Sequence, residues 1–427
     1  MAREFKDSGI EWIGQIPKEW EVGQVKQCFI RKNEKAEQDS PIVLSLARSG
    51  VKVRDISTNE GQLAESYYNY NPVEIDDLLI NPMDLYSGAN CSISKVCGVI
   101  SPAYINLRYI GNNNPMYFDY YFKTQYWSMA FFAHGKGISF DNRWTLNADT
   151  ILRYFIPIPS PEEQRKIAIF LDKVCDDADE MIALQEKMIE ELKAYKQSVI
   201  TEAVTKGLNP NVPMKDSGID WIGEIPEGWK VIRLKDIFSL KTGTTPKDFE
   251  KCSDDDVRIN WFTPSDIDDM NCELNNSQRY LSKKVVQNEG IQLYPKGSLI
   301  FVGIGASAGK IGYANIEGYS NQQITAFISQ EENCCSKYCY YYMIADRKRI
   351  RDNAFFTTLP IINNSYLSRV AVLYPPLSEQ QQIASYLDTK CSEIDSLIAI
   401  KQQKIEELKE YKKSVIYEYV TGKKEVA

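Results

Sequence analysis

The chain contains 427 residues, 43% of them hydrophobic and 25% charged, with a formal net charge of −8. This length and composition are typical of a globular protein of two to four domains. No apolar run approaches the roughly 18–20 residues that cross a bilayer. The opening MAREFKDSGI has no apolar stretch after its first charges. We therefore expect no membrane segment, no secretory signal and a cytoplasmic protein.

A fifteen-residue segment occurs twice. KDSGIEWIGQIPKEW runs from Lys6 to Trp20 and KDSGIDWIGEIPEGW from Lys215 to Trp229, at a constant offset of 209 and with eleven identical positions. We call this segment the opening motif. Its repetition predicts a chain built from two halves, each of which begins with the motif.

The regions that follow the two motifs, residues 21–158 and 230–374, share little sequence. Both are rich in Tyr, Phe, Asn and Gly and contain short β-like runs, which is typical of mixed α/β domains. Their clearest correspondence is between DDLLINPM and KGSLIFVG, followed by CSISKVCGVI and AGKIGYANIE. We expect two globular domains of different sequence, and we call residues 21–158 and 230–374 the variable regions.

A second repeat follows each variable region. Residues 163–205 align without a gap to residues 379–421, at an offset of 216, with 23 of 43 positions identical. Both copies follow a Pro-rich stretch, IPIPSPEEQ or YPPLSEQQ, and contain no Pro or Gly. Each copy therefore predicts one long helix, of about 65 Å at roughly 1.5 Å per residue.

Apolar residues in both copies recur at alternating steps of four and three, which is typical of a coiled-coil seam. The first seam contains Ile167, Leu171, Val174, Ala178, Met181, Met188, Leu192, Tyr195 and Val199, interrupted by Gln185. The second contains Ile383, Leu387, Ile394, Leu397, Leu408, Tyr411 and Val415, with lysine at 390, 401 and 404 and with Cys391, Ile398 and Ile405 beside it. A single long helix in a bundle is the alternative, but two matching copies favour pairing with each other.

The connections between the repeats are nearly equal in length. Nine residues (206–214) join the first helix to the second opening motif. The six residues after Thr421 and the five before Lys6 together make eleven. We therefore expect the two ends of the chain to lie side by side in a closed, pseudo-two-fold arrangement with antiparallel helices.

Motifs for chemistry are weak. The one histidine, His134 in FFAHGKGISF, has no nucleophile motif around it. Cys334, Cys335 and Cys339 lack CxxC spacing and a nearby histidine, which favours reduced thiols over a zinc site. VGIGASAGK (Val302–Lys310) has the wrong glycine spacing for a phosphate-binding loop, so we interpret it as a glycine-rich hairpin that brings Lys310 close to a polyanion. We expect no catalytic residue, no metal and no cofactor.

Charge and loop composition indicate contact with nucleic acid. Residues 162–206 carry seven Lys or Arg and eleven Asp or Glu, whereas 230–373 carry eighteen and sixteen, so the acidity is concentrated in the helices. Polar glycine-containing loops in both variable regions have residue types that contact phosphates and base edges, although ordinary surface turns are the alternative. The candidate DNA contacts are Arg48, Lys52, Arg54, Ser87, Asn90, Lys136, Arg143, Lys241, Thr244, Ser307, Lys310, Gln322, Gln323 and Arg347.

The order of these segments resembles the specificity subunit of a type I restriction–modification system. The resemblance rests on KDSGIxWIGxIP, a variable region, a Pro-rich exit into xEQxxIAxxLD and an IEELKxYKxSVI helix, all repeated, and it covers the whole chain. It implies an α+β fold, in which two mixed α/β target recognition domains are separated by two long antiparallel helices forming a pseudo-two-fold coiled coil. The implied segments are 1–20 (opening motif), 21–158 (first recognition domain), 159–206 (central helix), 207–229 (linker and second motif), 230–374 (second recognition domain) and 375–421 (C-terminal helix).

The resemblance also implies a prokaryotic subunit without catalysis of its own. Its expected partners are a bipartite double-stranded DNA target, two methyltransferase (modification) subunits and, through them, the restriction/translocase subunits. The helix residues assigned to subunit docking and spacing are Glu163, Gln164, Ile167, Leu171, Asp172, Leu192, Tyr195, Glu379, Gln380, Ile383, Leu387, Asp388, Leu408 and Tyr411. A stand-alone bipartite DNA-binding scaffold and an enzyme that uses His134 are the alternatives.

Overall fold

The chain folds into two compact units. The computed structural model describes residues 3–426 except 39–40, 48, 58–63, 84, 86–89, 138–143, 247–257, 269–271, 284, 287–290, 354 and 357–359. Unit 1 comprises Met1–Gln185 and Gln403–Ala427, and unit 2 comprises Glu186–Gln402. Each unit therefore contains one opening motif, one variable region and one end of each repeated helix.

Unit 1 is built on a four-stranded antiparallel sheet. The strands of the whole unit are β1 (Phe5–Asp7), β2 (Gln15–Pro17), β3 (Glu21–Gln24), β4 (Phe29–Lys32), β5 (Leu44–Ala47), β6 (Gly50–Val53), β7 (Asn71–Val73), β8 (Leu78–Ile80), β9 (Cys91–Ile93), β10 (Gly98–Ile100), β11 (Ile105–Tyr109) and β12 (Phe155–Ile158). Its short helices are α1 (Pro115–Trp127), α2 (Ala130–Ala133) and α3 (Ala148–Leu152). The sheet order is β4-β11-β8-β9.

The core of unit 1 lies between this sheet and α1. Leu78, Leu79 and Ile80 of β8 are fully buried, as a short continuous apolar run predicts. On the α1 side, the rings of Phe29 and Phe118 meet edge to face at 5.1 Å. This packing fixes α1 on the sheet.

Unit 2 repeats this plan on a five-stranded sheet. The strands of the whole unit are β13 (Met214–Asp216), β14 (Glu224–Pro226), β15 (Lys230–Arg233), β16 (Phe238–Thr242), β17 (Arg258–Phe262), β18 (Cys272–Leu274), β19 (Arg279–Ser282), β20 (Leu299–Val302), β21 (Ile311–Ala314), β22 (Tyr319–Ser320), β23 (Ile324–Ser329), β24 (Phe355–Phe356), β25 (Pro360–Ile361) and β26 (Ala371–Tyr374). Its short helices are α5 (Leu234–Ile237), α6 (Ser336–Ala345), α7 (Arg347–Asp352) and α8 (Asn364–Leu367).

The two sheets confirm the correspondence predicted from sequence. The order in unit 2 is β16-β23-β20-β21-β18, in which β18 and β21 are parallel and the other neighbours antiparallel. β20, from KGSLIFVG, occupies the place that β8, from DDLLINPM, occupies in unit 1. The glycine-rich segment after β20 joins two antiparallel strands, as the hairpin interpretation predicts.

Each variable region is closed by a two-stranded ribbon. β3 follows the first opening motif and pairs with β12, which directly precedes a long helix. β15 and β26 form the same ribbon in unit 2. The start and end of each region therefore meet at one place, so the loops of one region can change without moving the helix that follows.

The two repeated segments form long helices, α4 (Pro161–Lys206) and α9 (Leu377–Val420). Pro161 suits the first helical position because proline lacks the N–H that would remain unbonded there. Gly207 and Gly422 follow the helix ends with φ of +74° and +72°, a left-handed conformation that costs glycine little.

Among the described residues, no helix is both long and apolar enough to cross a membrane.

Within each unit the two long helices run in opposite directions. In unit 1, the rings of Phe170 and Tyr419 lie 4.4 Å apart. Nine residues further along α4, Asp179 lies 2.6 Å from Lys412, which is seven residues earlier in α9. Contacts in unit 2 follow the same direction, so the predicted antiparallel orientation is confirmed inside each unit.

The buried seam differs from the predicted one at alternate positions. Met181, Met188 and Tyr195 are 48%, 37% and 58% exposed, whereas the following residues of the heptad, including Ile189 and Lys196, are buried. In α9, Cys391 and Ile405 are buried, and Leu397 and Tyr411 are exposed. The prediction is therefore wrong at these exposed positions, whereas Ile167, Leu171, Ala178 and Val199 are buried as predicted. One cause is that a lysine occupies part of the buried stripe of α4. Lys390 and Lys404 lie outside the true seam of α9.

One ion pair is repeated in both units. In unit 2, Lys196 Nζ lies 2.5 Å from Asp395 Oδ1, and in unit 1, Lys412 Nζ lies 2.6 Å from Asp179 Oδ2. The offset of 216 relates both lysines and both aspartates. The Lys196 side chain is 2% exposed and that of Lys412 is 27% exposed. Only Lys196 therefore lacks water as an alternative partner.

Because a buried ammonium without a counter-ion is unfavourable, Asp395→Asn should destabilise the helix pair of unit 2 by about 1–3 kcal/mol. Asp179→Asn should cost less, because water can solvate Lys412. Asp177→Asn, at an exposed position of α4, is the control. Native-state hydrogen exchange of the buried amides in 196–204 measures the local stability of the helix pair in unit 2, and exchange in 412–420 measures that in unit 1. Equal effects of all three substitutions would contradict the inferred role of burial.

Candidate functional site

A buried tryptophan joins each opening motif to the start of a long helix. The indole N–H of Trp20 donates to Glu163 Oε2 at 2.8 Å, and that of Trp229 donates to Glu379 Oε2 at 3.0 Å. Both indoles are at most 1% exposed. The last residue of the opening motif therefore fixes the first turn of α4 in unit 1 and of α9 in unit 2.

The same two indoles contact the end of the other long helix. A Cβ atom on Gly422 would lie 3.1 Å from the Trp20 ring and 2.4 Å from a Pro17 carbon. In unit 2, a Cβ atom on Gly207 would lie 3.2 Å from the Trp229 ring. Glycine permits this approach, so each tryptophan joins one helix start to one helix end. The segment after α9 lies beside the first opening motif, as the connection lengths predict.

A buried glutamine ties each variable region to a long helix. The side-chain oxygen of Gln164 accepts from the N–H of Asn114 at 2.7 Å, and that of Gln380 accepts from the N–H of Cys335 at 2.8 Å. Both glutamines are fully buried. Asn114 and Cys335 are the residues directly before α1 and α6. The EQ pair of each repeat is thus a joint between helices.

Tyrosine hydroxyls on α1 and α6 complete the joint. The hydroxyls of Tyr117 and Tyr338 donate to the carbonyls of Val420 (3.0 Å) and Val204 (3.3 Å). Those of Tyr120 and Tyr341 donate to the carboxylates of Asp172 (2.7 Å) and Asp388 (2.6 Å). Burial raises the pKa of these tyrosines well above the ordinary value, so the hydroxyls stay protonated and donate. The sequence comparison missed this pattern, although PMYFDYYF and SKYCYYYM have tyrosine at three equivalent positions.

Most residues predicted for docking and spacing therefore lie inside their units. Gln164, Ile167, Leu171, Gln380, Ile383, Leu387 and Leu408 are buried, Leu192 is half-buried, and Glu163, Asp172, Glu379 and Asp388 accept the hydrogen bonds described above. Tyr195 and Tyr411 are 58% and 55% exposed. These equivalent tyrosines belong to two outward rows of large apolar side chains, Met181, Leu184, Met188 and Tyr195 on α4 and Leu397, Ile400 and Tyr411 on α9. We call these rows the exposed stripes.

In unit 2, the predicted polar loops lie next to one another. The N–H of Thr244 donates to the Ser320 carbonyl at 3.0 Å, and the Thr245 hydroxyl donates to the side chain of Gln322. The N–H of Gly303 donates to the Gln323 carbonyl at 2.7 Å. Three separate segments, the loop after β16, the β20–β21 hairpin and the loop before β23, therefore form one polar surface.

The basic candidates of unit 2 differ in their surroundings. Lys241 is exposed at the end of β16, whereas Lys310 is half-buried and its Nζ donates to the Ile267 carbonyl at 3.2 Å. Arg347 is half-buried at the start of α7. Arg351 of the same helix is exposed and lies against Gly309, where a Cβ atom would be 3.4 Å away. The sequence selection omitted Arg351, although the run DRKRIR contains it.

Two of the candidate segments of unit 1 lie together. The side-chain amide of Asn90 donates to the Ala47 carbonyl at 3.0 Å, which ties its loop to the hairpin that carries Lys52 and precedes Arg54. Lys136 is exposed and pairs through its backbone with Thr145. Arg48, Ser87 and Arg143 lie outside the described residues.

His134 lies in an aromatic cluster. Its ring meets Trp12 at 4.8 Å and Tyr154 at 5.2 Å, both edge to face. Burial lowers its pKa, which favours the neutral ring. This setting indicates a packing role for the side chain.

Comparison with known proteins assigns the family. One family model, described as the type I restriction modification DNA specificity domain, matches the chain twice, over residues 17–194 and 226–410. The chain belongs to the type I restriction–modification DNA specificity family. The predicted resemblance is confirmed, and each unit contains most of one matched domain.

Several relatives of this specificity family are similar along much of the chain. It is 28% identical over 288 residues to the type I restriction enzyme MjaVIII specificity subunit of Methanocaldococcus jannaschii, which covers 63% of this chain and 61% of that protein. It is 24% identical over 433 residues to the putative MjaX specificity subunit of the same organism, covering 96% and 95%.

Two solved structures share the fold of this chain. One, from work on complex assembly and conformational transition of the type I R-M system, has a TM-score of 0.72 at 15% identity, covering 95% of this chain and 98% of that one. The HsdS subunit from Thermoanaerobacter tengcongensis has a TM-score of 0.52 at 15% identity, with the same coverage. The family confirms the prediction of a DNA-recognition component rather than a catalytic one.

The buried glutamine predicts a local loss of stability. Gln380→Ala should leave the N–H of Cys335 and a proline carbonyl unpaired, which costs about 2–4 kcal/mol. Hydrogen exchange of the amides in 336–345 should accelerate more than exchange elsewhere in unit 2. Gln381→Ala, at the next and exposed position, is the matched control. If both variants exchange like the parent, the glutamine is not a structural joint.

Proposed function

We propose that the chain recognises a bipartite double-stranded DNA target and positions two modification subunits on it. Each unit's sheet domain contacts one half of the target, and the restriction subunits join through the modification subunits. The observation that carries this proposal is the duplicated frame. Buried contacts of the same kind recur in both units, whereas the polar loops on the two sheets differ in sequence and length.

The loops of the two units provide different chemical groups. Unit 2 presents Thr244, Gln322 and Gln323 from two adjoining loops, while unit 1 presents Lys52 on a hairpin and Asn90 beside it. Amides and hydroxyls form hydrogen bonds with base edges, and exposed lysines contact phosphates. Two unlike sets of side chains on one frame suit a target whose halves differ in sequence.

The exposed cations of unit 2 support contact with the phosphate backbone. In the described part of the unit, Lys241 and Arg351 form no side-chain hydrogen bond or ion pair, and both are exposed. Unpaired cations at the polar loops attract a polyanion although the chain as a whole is acidic. The acidic charge lies on the helices, where no contact with DNA is proposed.

The exposed stripes support the docking of partner subunits. Large apolar side chains that recur along one exposed face of a helix suit an interaction surface. The stripes on α4 and α9 have matching members, since Met181, Leu184 and Tyr195 correspond to Leu397, Ile400 and Tyr411 at the offset of 216. Two equivalent surfaces suit two copies of one partner.

Exchange of one variable region tests the assignment of half-targets. The β15–β26 ribbon closes residues 230–374, so replacing them with the equivalent region of another specificity subunit should leave the frame intact. We expect one half of the methylated motif to change and the other to remain. Methylome sequencing of a host that expresses the chimera with the modification subunit is the measurement. A change in both halves would show that the units do not recognise DNA independently.

Charge reversal on the exposed stripes tests docking. Tyr195→Asp should remove one modification subunit, and the double variant with Tyr411→Asp should remove both, because docking would bury an unpaired carboxylate. Native mass spectrometry of the purified complex counts the subunits. Ala194→Asp, on the adjacent exposed position, is the control. Retention of both modification subunits by the double variant would place the docking surface elsewhere.

A further inference from the structure

An open polar cavity of about 370 Å³ lies among the loops of unit 2. Its polar lining comes from the turn after β17, the first residue of β19, the β20–β21 hairpin and the loop before β23. The side chains are Thr263, Ser265, Arg279, Ser307, Asn321 and Gln323. Pockets for small organic ligands are lined mainly by apolar and aromatic groups. This polar lining is instead suited to the hydrogen-bonding edge of a nucleobase.

The amides in the cavity are held in place. The N–H of Gln323 donates to Asn321 Oδ1 at 3.1 Å, and Asn321 Nδ2 donates to Gln323 Oε1 at 3.0 Å. Gly303 fixes the loop from both sides, because its N–H donates to the Gln323 carbonyl at 2.7 Å and its carbonyl accepts from Ile362 at 2.8 Å. Gly305, with φ of +102°, lets the hairpin pass close to the Gln323 amide.

The opposite wall of the cavity is also preorganised. Asp266 accepts from the N–H and the hydroxyl of Thr263, both at 2.7 Å, and from the N–H of Gln278 at 2.7 Å. These bonds fix the turn next to Arg279, whose backbone pairs with Trp261 in the β17–β19 ribbon. The position of the arginine Cα is therefore set by a strand rather than by a mobile loop.

Among the described residues that line the cavity, Arg279 is the one with a positive charge. Its side chain is exposed, and within the described part of the chain its guanidinium has no hydrogen bond and no ion pair. A guanidinium offers five donors and no acceptor. Among the bases, guanine presents two acceptors, O6 and N7, on its major-groove edge, whereas adenine presents one acceptor and one donor. The unpaired guanidinium therefore matches guanine.

We propose that Arg279 recognises a guanine in the half-target of unit 2, by a bidentate contact with O6 and N7. The cavity beside it receives the edge of that base pair, and the fixed Asn321–Gln323 amides border the same edge. This inference rests on the proposed function and adds to it the residue that specifies one base.

The test uses the full chain assembled with its modification subunit. Methylome sequencing compares the parent with Arg279→Ala and Arg279→Lys. We expect one guanine of the second half-target to become degenerate in Arg279→Ala, with discrimination against other bases reduced about 5- to 150-fold. Arg279→Lys should lose part of this discrimination, because lysine lacks the planar fork. The first half-target should remain unchanged. Arg369→Ala, an exposed arginine of unit 2 outside the cavity lining, is the matched control.

The outcomes separate this inference from the proposed function. If the parent complex methylates no two-part motif, the proposed function itself fails. If the parent methylates one but the Arg279 variants keep every base of it, the inference is overturned. A uniform fall in methylation at an unchanged motif also overturns it, because that result is typical of a phosphate contact. Arg279→Lys keeps the charge and the side-chain stem, so it decides the question should the alanine variant fail to assemble.

Discussion

The fold of each unit depends on one buried contact between an indole and a carboxylate. Trp20 and Trp229 are enclosed in their units and donate to Glu163 and Glu379 in the first turn of a long helix. The rings of the same indoles lie against the glycine that follows the other helix. A buried indole N–H usually has a hydrogen-bond acceptor, and here the helix start provides it. The opening motif therefore fixes where one helix begins and the other ends, which explains why the chain contains it twice.

This joint lies apart from the polar loops of each unit. Gln164 and Gln380 bond the backbone directly before α1 and α6, and tyrosine hydroxyls from those helices donate to the long helices. The ribbons β3–β12 and β15–β26 close each variable region at the same end. The polar loops can differ in sequence between the units because none of these contacts involves them. Divergence of residues 21–158 and 230–374 around an unchanged frame is the expected consequence.

The long helices bury one face and leave another exposed. Lys196, which is buried, and Lys412, which is partly exposed, each pair with an aspartate of the other helix. Tyr195 and Tyr411, one residue earlier, are exposed. An ion pair in a seam contributes little to stability compared with an apolar pair of similar volume. The apolar residues outside the seam remain available to partners, which agrees with the duplicated docking surface proposed above.

The sequence by itself determined the two-fold repetition, the two long helices, the central strands β8 and β20, and the family. These features depend on local patterns, such as an apolar run, a helix without Pro or Gly, or a repeated motif. The correct seam could not be predicted in full, because Met188 and Ile189 are both apolar and only the partner helix decides that Ile189 is the buried one. The roles of Trp20 and Gln164 likewise depend on residues far away in the chain. Arg279 was missed because it begins a strand and lies outside the glycine-containing loops from which most candidates were chosen. Gln323 and Ser307 come next to it only through strand pairing. Tertiary structure alone decided these juxtapositions, since hydrogen bonds between distant segments leave no periodic trace in the sequence.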